Sequence, residues 1–177
     1  MADTRTLARQ LDAASKEGPG ENPFKSVVKE IVKCVVESVA VYEDEVAIFL
    51  PKGADTFRFA APLPLLEDGS SFPSKGSLTL KVYNGDDPLV NNNVKVGKPL
   101  SIYERAKISE RSPKPIQKML AVPLKDREGK VGVLQVSRRG VSVREAGPDF
   151  GSKEEMDLTS IGKVAAPYLR RTRPEAF

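Results

Sequence analysis

Two tyrosines and a run of three asparagines stand out among the residues that could recognise a small molecule. Tyr83 and Tyr103 lie on either side of the run, which is Asn91, Asn92 and Asn93. Aromatic side chains form apolar pocket walls, and amide groups donate and accept the hydrogen bonds that orient a ligand. These five residues are therefore a candidate ligand-binding set. The alternative is ordinary turn chemistry, because asparagine favours left-handed and Asx turns.

Few residues are available for catalysis or metal binding. The chain has no histidine and one cysteine, Cys34. Histidine is the commonest metal ligand and general base, and one cysteine forms neither an internal disulfide nor a cysteine-only metal cluster. Neither "KGADTF" nor "GDDPLVN" has the glycine spacing and Lys-Ser/Thr ending of a P-loop. We therefore expect no catalytic residue, no metal and no cofactor.

Positive and negative charges are interleaved along the chain. The 177 residues include 28 Lys or Arg and 24 Asp or Glu, for a formal net charge of +4. This mixture suits a solvated surface better than a nucleic-acid platform. One stretch is denser in cations, which are Lys98, Arg105, Lys107, Arg111, Lys114 and Lys118. They could attract a phosphate or an acidic partner, but Glu104 and Glu110 dilute them, which favours a solvated loop.

Apolar segments are too short to span a membrane, and the first residues lack the apolar core of a signal peptide. We therefore expect a cytoplasmic protein that binds neither membrane nor nucleic acid. The length predicts one domain, residues 22–171. Before it, residues 1–21 contain a short helical pattern followed by "EGPGENP", which predicts a mobile or loosely docked leader. Residues 172–177 form a tail that includes Phe177.

The first long element is a helix. From Phe24 to Val39 the apolar residues recur at intervals of three and four, although the many valines keep a strand as the alternative. Asn22 is the expected N-cap, with Pro23 at the first helical position. The apolar stripe covers roughly 200°, about twice what one core-facing side needs. One neighbour would be the sheet, and the other would be the same helix of a second chain. The expected homodimer contacts are Val28, Ile31, Val32, Val35 and Val36.

Two hairpins and a final helix complete the prediction. "EVAIFLP" and "TFRFAAPL" flank a glycine turn, and "MLAVPLKDREGKVGVLQVSRRG" contains a second pair of strands. Between them, "GSLTLKVYNG" is a short helix or an extra strand, and "KPLSIYERAKISER" is a short helix. A capping box of Ser152 and Glu155 opens the last helix. The sequence predicts an α+β domain with one antiparallel sheet and its terminal helices on one face.

These segments resemble a GAF domain, the small ligand-sensing module of signalling proteins. The likeness is clearest over "LAVPLKDREGKVGVLQVSRRG" followed by "DFGSKEEMDL", and "NGDDPLVNNN" and "EVAIFLPKGADTFRFAAPL" are similar to earlier family segments. It spans about residues 23–171. The resemblance implies about six antiparallel strands, paired helices on one face and, on the other, a pocket roofed by the crossover segment. It also implies a homodimer through the terminal helices.

The departures from the family pattern bear on function. Cyclic-nucleotide-binding members carry Asn-Lys, then Phe, then Asp-Glu, and the matching positions here are Ser137, Arg138, Phe150, Glu154 and Glu155. An ion pair from Arg138 to Glu154 or Glu155 could replace the family's lysine–aspartate contact. The alternative is a helix cap beside a surface arginine.

Other branches of the family need chemistry that this sequence lacks. Chromophore-bearing and haem-binding members use histidine, and members similar to free methionine-R-sulfoxide reductases use several cysteines in a disulfide cycle. We therefore expect a non-catalytic signalling module that senses a small molecule or interacts with a protein through a homodimer. The main alternative is an adaptor with a filled pocket, and a sulfoxide reductase-like enzyme is less favoured.

Overall fold

A computed structural model describes residues 1–96 and 100–177 of the chain. The helices in these two ranges are α1 (Thr4–Ala14), α2 (Glu21–Val39), α3 (Leu63–Glu67), α4 (Leu78–Asn84), α5 (Ile102–Arg105) and α6 (Ser152–Thr172). The strands are β1 (Val46–Pro51), β2 (Thr56–Ala61), β3 (Ser71–Pro73), β4 (Leu89–Asn91), β5 (Ile116–Asp126) and β6 (Gly129–Arg139). None of these helices has the length and apolar composition needed to cross a membrane.

The strands form one open antiparallel sheet in the order β3-β2-β1-β6-β5-β4. The two predicted hairpins are confirmed as β1–β2 and β5–β6, and β1 pairs with β6 to join them. Alternation along β6 divides its side chains between the faces. Leu134 and Val136 enter the core beneath the terminal helices, whereas Val133 enters a second core on the opposite face. The sheet and its two layers confirm the predicted α+β class.

We call α1, α2 and α6 the helical layer, since all three share one face of the sheet. α2 packs against β1 and β2, α6 packs against β5 and β6, and α1 contacts both long helices. Val28, Ile31 and Val35 are fully buried within this single chain. Their assignment to a dimer interface is therefore wrong, because α1, α6 and the sheet already cover the wide apolar stripe. Val32 is almost covered and Val36 is partly exposed at the margin of the layer.

The first residues pack more firmly than the leader that we expected. The Asp3 carboxylate caps α1 by accepting a hydrogen bond from the Thr6 N–H at 3.0 Å. Leu7 and Leu11 are buried between α1 and the two long helices. The start of α2 also differs from the prediction. It begins at Glu21 after Gly20, so Pro23 is the third helical residue, a position where the missing N–H still has no intrahelical partner.

The tail is also anchored. Phe177 is buried, and its ring packs edge-on to Phe24 with the ring centroids 5.4 Å apart. The guanidinium carbons of Arg58 and Arg173 lie 4.7 and 4.6 Å from the centre of the Phe177 ring. Apolar burial and two cation–π contacts therefore hold the tail against α2 and β2.

The crossover between the hairpins, described over residues 62–96 and 100–115, covers the other face of the sheet, and we call it the roof. The segment "GSLTLKVYNG" contains a helix, α4, and not a strand. The second predicted segment, "KPLSIYERAKISER", contains the short helix α5. Lys98, the first cation of the dense basic stretch, lies outside the described residues. The roof thus adds two short edge strands and short helices to the four strands of the hairpins.

Candidate functional site

Aromatic rings fill the space between the sheet and the roof. Phe49 packs edge-on to Phe59 with ring centroids 5.1 Å apart, and Tyr83 packs on Phe57 at 5.4 Å. Small and branched residues of the central strands complete this roof-side core, namely Ala47, Ala121 and Val133. In the described ranges, the chain's own side chains therefore occupy the space where a ligand was expected.

The three asparagines of the candidate set have local structural roles. The Asn91 side-chain oxygen accepts a hydrogen bond from the Asn93 N–H at 3.0 Å, and Asn93 is exposed. Asn92 joins the end of β4 to the segment before α6. Its Nδ2 donates to the Phe150 carbonyl at 3.1 Å, and its Oδ1 accepts from the Phe150 N–H at 2.8 Å. Of the five predicted residues, only Tyr83 and Tyr103 belong to the roof-side core.

Tyr103 and Arg139 form the polar end of this core. The Arg139 guanidinium carbon lies 4.4 Å from the centre of the Tyr103 ring, and its Nη1 and Nη2 donate to the carbonyls of Glu104 and Tyr103, both at 3.2 Å. The Tyr103 hydroxyl and Arg139 Nε are buried without a hydrogen-bond partner in acceptable geometry. Burial raises the pKa of Tyr103 to about 12 despite the nearby charge of Arg139. The hydroxyl thus stays neutral, and both unpaired groups carry a desolvation cost.

Two buried carboxylates fasten the roof to the end of the sheet. Asp44 accepts a hydrogen bond from Arg111 Nη1 at 2.7 Å. Glu45 accepts from the Arg139 N–H at 2.9 Å, and its backbone carbonyl accepts from the Ser137 hydroxyl at 3.4 Å. The sequence interpretation missed this acidic pair and Arg139. The available signal was two adjacent acidic residues directly before a buried strand, at a place where apolar or turn residues are more common.

Arg138 connects three parts of the fold. Its Nη2 donates to the Val39 carbonyl at the end of α2 at 3.5 Å. Its Nη1 donates to the carbonyls of Pro148 and Asp149 in the segment before α6, the second at 3.4 Å. Its guanidinium carbon lies 4.4 Å from the centre of the Phe150 ring. Arg138 therefore ties β6 to the end of α2 and to the start of α6.

The predicted ion pair from Arg138 to Glu154 or Glu155 is not formed, since no carboxylate oxygen of the described ranges lies within 4.0 Å of Arg138. Glu154 instead accepts a hydrogen bond from the Gly151 N–H at 3.0 Å. Burial opposes ionisation of Glu154, but backbone hydrogen bonds and the charge of Arg138 lower its pKa overall. The helix cap thus uses Gly151 and Glu154, one residue before the predicted pair of Ser152 and Glu155.

The one thiol of the chain lies away from both features. Cys34 is buried on α2, and its sulfur lies 3.9 Å from the Ser38 hydroxyl oxygen. Burial raises the pKa of the Cys34 thiol above its usual value. Because the thiolate is the reactive form, this environment disfavours nucleophilic or redox chemistry.

Comparisons with known proteins concern the whole architecture. No family model and no curated protein matches the sequence. The GAF domain of a phosphoenolpyruvate-protein phosphotransferase from Acinetobacter matches with a TM-score of 0.60 and 16% identity, over 94% of this chain and 92% of that chain. The equivalent domain from Coxiella burnetii gives 0.61 and 13%, over 95% and 93%. The chain has the GAF fold.

A GAF domain/HD domain protein from Geobacter sulfurreducens extends this result, with a TM-score of 0.59 and 17% identity over 90% of this chain and 95% of that chain. Within the GAF fold, the side chains of Arg138 and Glu154 at the matching signature positions hydrogen-bond to backbone groups instead of forming an ion pair. Identities this low establish the fold alone, so the chemistry of the site has to come from its own residues.

Proposed function

We propose that the protein is a non-catalytic signalling module that acts through protein–protein contacts. The observation that carries this proposal is the aromatic core on the roof side, which fills the space where a ligand would lie. The buried Cys34 thiol, with its raised pKa, supports a role without catalysis. Proteins that share the fold include a methyl-accepting chemotaxis protein, which supports a role in signalling.

Small-molecule sensing is the second candidate, and one observation favours it. The Tyr103 hydroxyl and Arg139 Nε are buried donors without acceptors at the polar end of the roof-side core. A carboxylate or carbonyl oxygen between them would accept both hydrogen bonds and offset their desolvation cost. Entry of such a ligand requires the roof to move.

Removing the Tyr103 hydroxyl distinguishes an interaction module with a filled core from a small-molecule sensor. If the site holds only side chains, Tyr103→Phe is expected to raise the free energy of unfolding by about 1 kcal/mol, because a buried unpaired group is lost. Urea denaturation measures this change. Tyr83→Phe is the matched control, since Tyr83 is partly exposed and its hydroxyl is expected to contribute little.

A thermal-shift screen of nucleotides, amino acids and small acids completes this test. A ligand raises the stability of the folded state by RT ln(1 + [L]/Kd). The interaction module is expected to show no shift that depends on the Tyr103 hydroxyl. A ligand whose shift is present in the parent chain and in Tyr83→Phe, but lost in Tyr103→Phe, would establish sensing instead.

We further propose that the module forms a homodimer through the part of α2 that remains uncovered. This strip consists of Lys29, Val32, Lys33, Val36 and Glu37, which line one shallow groove together with Glu43. Against a second antiparallel copy whose two-fold axis passes midway between Lys33 and Glu37, Lys33 of one helix would lie opposite Glu37 of the other. A two-fold interface requires such self-complementary charge.

Reversing one charge in the strip is expected to weaken the dimer. Lys33→Glu sets like charges against each other twice, because two-fold symmetry repeats the contact, and the expected loss of affinity is about tenfold. The double variant Lys33→Glu, Glu37→Lys restores opposite charges and is expected to recover the dimer. Sedimentation velocity measures both, with Lys163→Glu at an exposed position of α6 as the control. A monomeric parent chain, or a dimer that tolerates Lys33→Glu, would contradict this interface.

A further inference from the structure

A cleft of 460 Å³ opens where β6 ends and the turn before β1 begins. Four cationic side chains line it, which are Arg111, Lys114, Arg138 and Arg139. Two carboxylates, Glu45 and Glu145, line it as well. The cations of the cleft thus come from β6 and from the last residues of the roof, just before β5.

The cations differ in how their charge is balanced. Arg111 lies 2.7 Å from an Asp44 oxygen and 3.6 Å from a Glu45 oxygen, and Lys114 pairs with Glu145. In the described residues, the guanidinium groups of Arg138 and Arg139 donate to backbone carbonyls alone, and they stack on aromatic rings. Within residues 1–96 and 100–177, no carboxylate oxygen lies within 4.0 Å of either guanidinium. Two largely buried positive charges therefore lack an anionic partner, an arrangement that is costly in a protein interior.

Arg139 supplies a second observation. It is 6% exposed, and its Nε is buried without a hydrogen-bond partner. Its guanidinium lies on the roof side of β6 and that of Arg138 on the helical side, so the two charges flank the end of the strand at the cleft. The groups that oppose an anion here are the carboxylates of Glu45 and Glu145 and the carbonyls that Arg138 already contacts. Lys118 is a further cation, and it contacts the segment between β6 and α6, where it is paired with Asp149 at 2.7 Å.

We propose that this cleft binds a small molecule that bears a phosphate dianion. Arg138 and Arg139 both line the cleft and contribute positive charge from either side of the end of β6, and Lys114 turns from Glu145 to the phosphate. The Lys114–Glu145 pair is partly exposed, so this exchange costs little. The volume leaves room for an organic group beside the phosphate. The Tyr42 ring, which Arg111 covers at 3.7 Å, supplies an aromatic wall for that group.

Inorganic phosphate is the probe that tests this site on the full chain. Thermal unfolding in phosphate is compared with unfolding in chloride at equal ionic strength, and titration calorimetry gives the affinity. Phosphate is expected to raise the melting temperature above the chloride value in a saturable manner. Lys114→Gln is expected to weaken phosphate binding by about tenfold, because a charge-assisted hydrogen bond is lost. Glu145→Gln is expected to strengthen it, because a competing carboxylate is removed.

Lys125→Gln is the matched control, because Lys125 is also a partly exposed lysine in an ion pair, with Asp86 outside the cleft. It is expected to leave phosphate affinity unchanged. The proposal is overturned if phosphate stabilises the chain no more than chloride does. It is also overturned if Lys125→Gln weakens binding as much as Lys114→Gln, or if neither cleft variant changes the affinity.

Discussion

Glutamate in place of Val35 is expected to unfold the chain. Val35 is completely buried in the helical layer, and its neighbours there are apolar. A carboxylate at this position loses its hydration without gaining a partner, whether it stays charged or takes up a proton. The expected cost is about 5 kcal/mol, which is comparable to the whole stability of a small domain. Far-UV circular dichroism and urea denaturation measure the loss.

Val36→Glu is the control for this variant, since Val36 is the next residue and is partly exposed. It is expected to keep the fold and to lose at most about 1 kcal/mol. The contrast tests the arrangement of the helical layer directly. A folded Val35→Glu chain, or an equal loss in both variants, would mean that α2 does not present the face described above.

The elements of this fold could be predicted because their signals are local. The apolar spacing from Phe24 to Val39 repeats with the period of a helix, and that of β5 and β6 repeats with the period of a strand. Glycine turns marked both hairpins. The boundaries were less certain, as Gly20 and Gly151 show, because a glycine before a helix carries no side chain that would identify a cap.

The neighbours of each element could not be read from the same signals. The width of the apolar stripe on α2 correctly indicates more than one neighbour, but it does not show which elements those neighbours are. The other neighbours are in the same chain, as α1 and α6 pack on α2 and leave Val28 and Val35 fully buried. Two leucines on α1, Leu7 and Leu11, are buried against α2 and α6, although the glycines and prolines after α1 favoured a mobile leader.

The candidate site shows the same limit for polar residues. Asparagine composition alone does not separate a ligand contact from an Asx turn, and Asn91 makes the turn. The contact of Glu45 with Arg139 joins residues 94 positions apart, so no local sequence pattern predicts it. At Arg138 the sequence identified the right junction but the wrong acceptors. A guanidinium fork can reach several carbonyls at once, and in this fold three carbonyls are nearer than the expected carboxylates.

Alanine in place of Gly132 is expected to cost about 3 kcal/mol, because overpacking a strand centre forces the backbone to shift. A Cβ atom on Gly132 would lie inside van der Waals contact of the Phe49 carbonyl oxygen and 2.6 Å from Leu50 Cδ2. Both atoms belong to β1, which pairs with β6 at the centre of the sheet. Relief of the clash requires β1 and β6 to separate. Urea denaturation is expected to show a lower midpoint with an unchanged slope.

Gly151→Ala is the control for added bulk, since a Cβ atom there would meet only Glu154 Oε2 at the ordinary distance of 3.6 Å. Its expected cost is about 0.5 kcal/mol, the small difference between glycine and alanine at an N-cap. If Gly132→Ala were as mild as this control, β1 and β6 would have room between them. The close pairing of the two hairpins, which holds the helical layer and the roof on opposite faces of one sheet, would then be wrong.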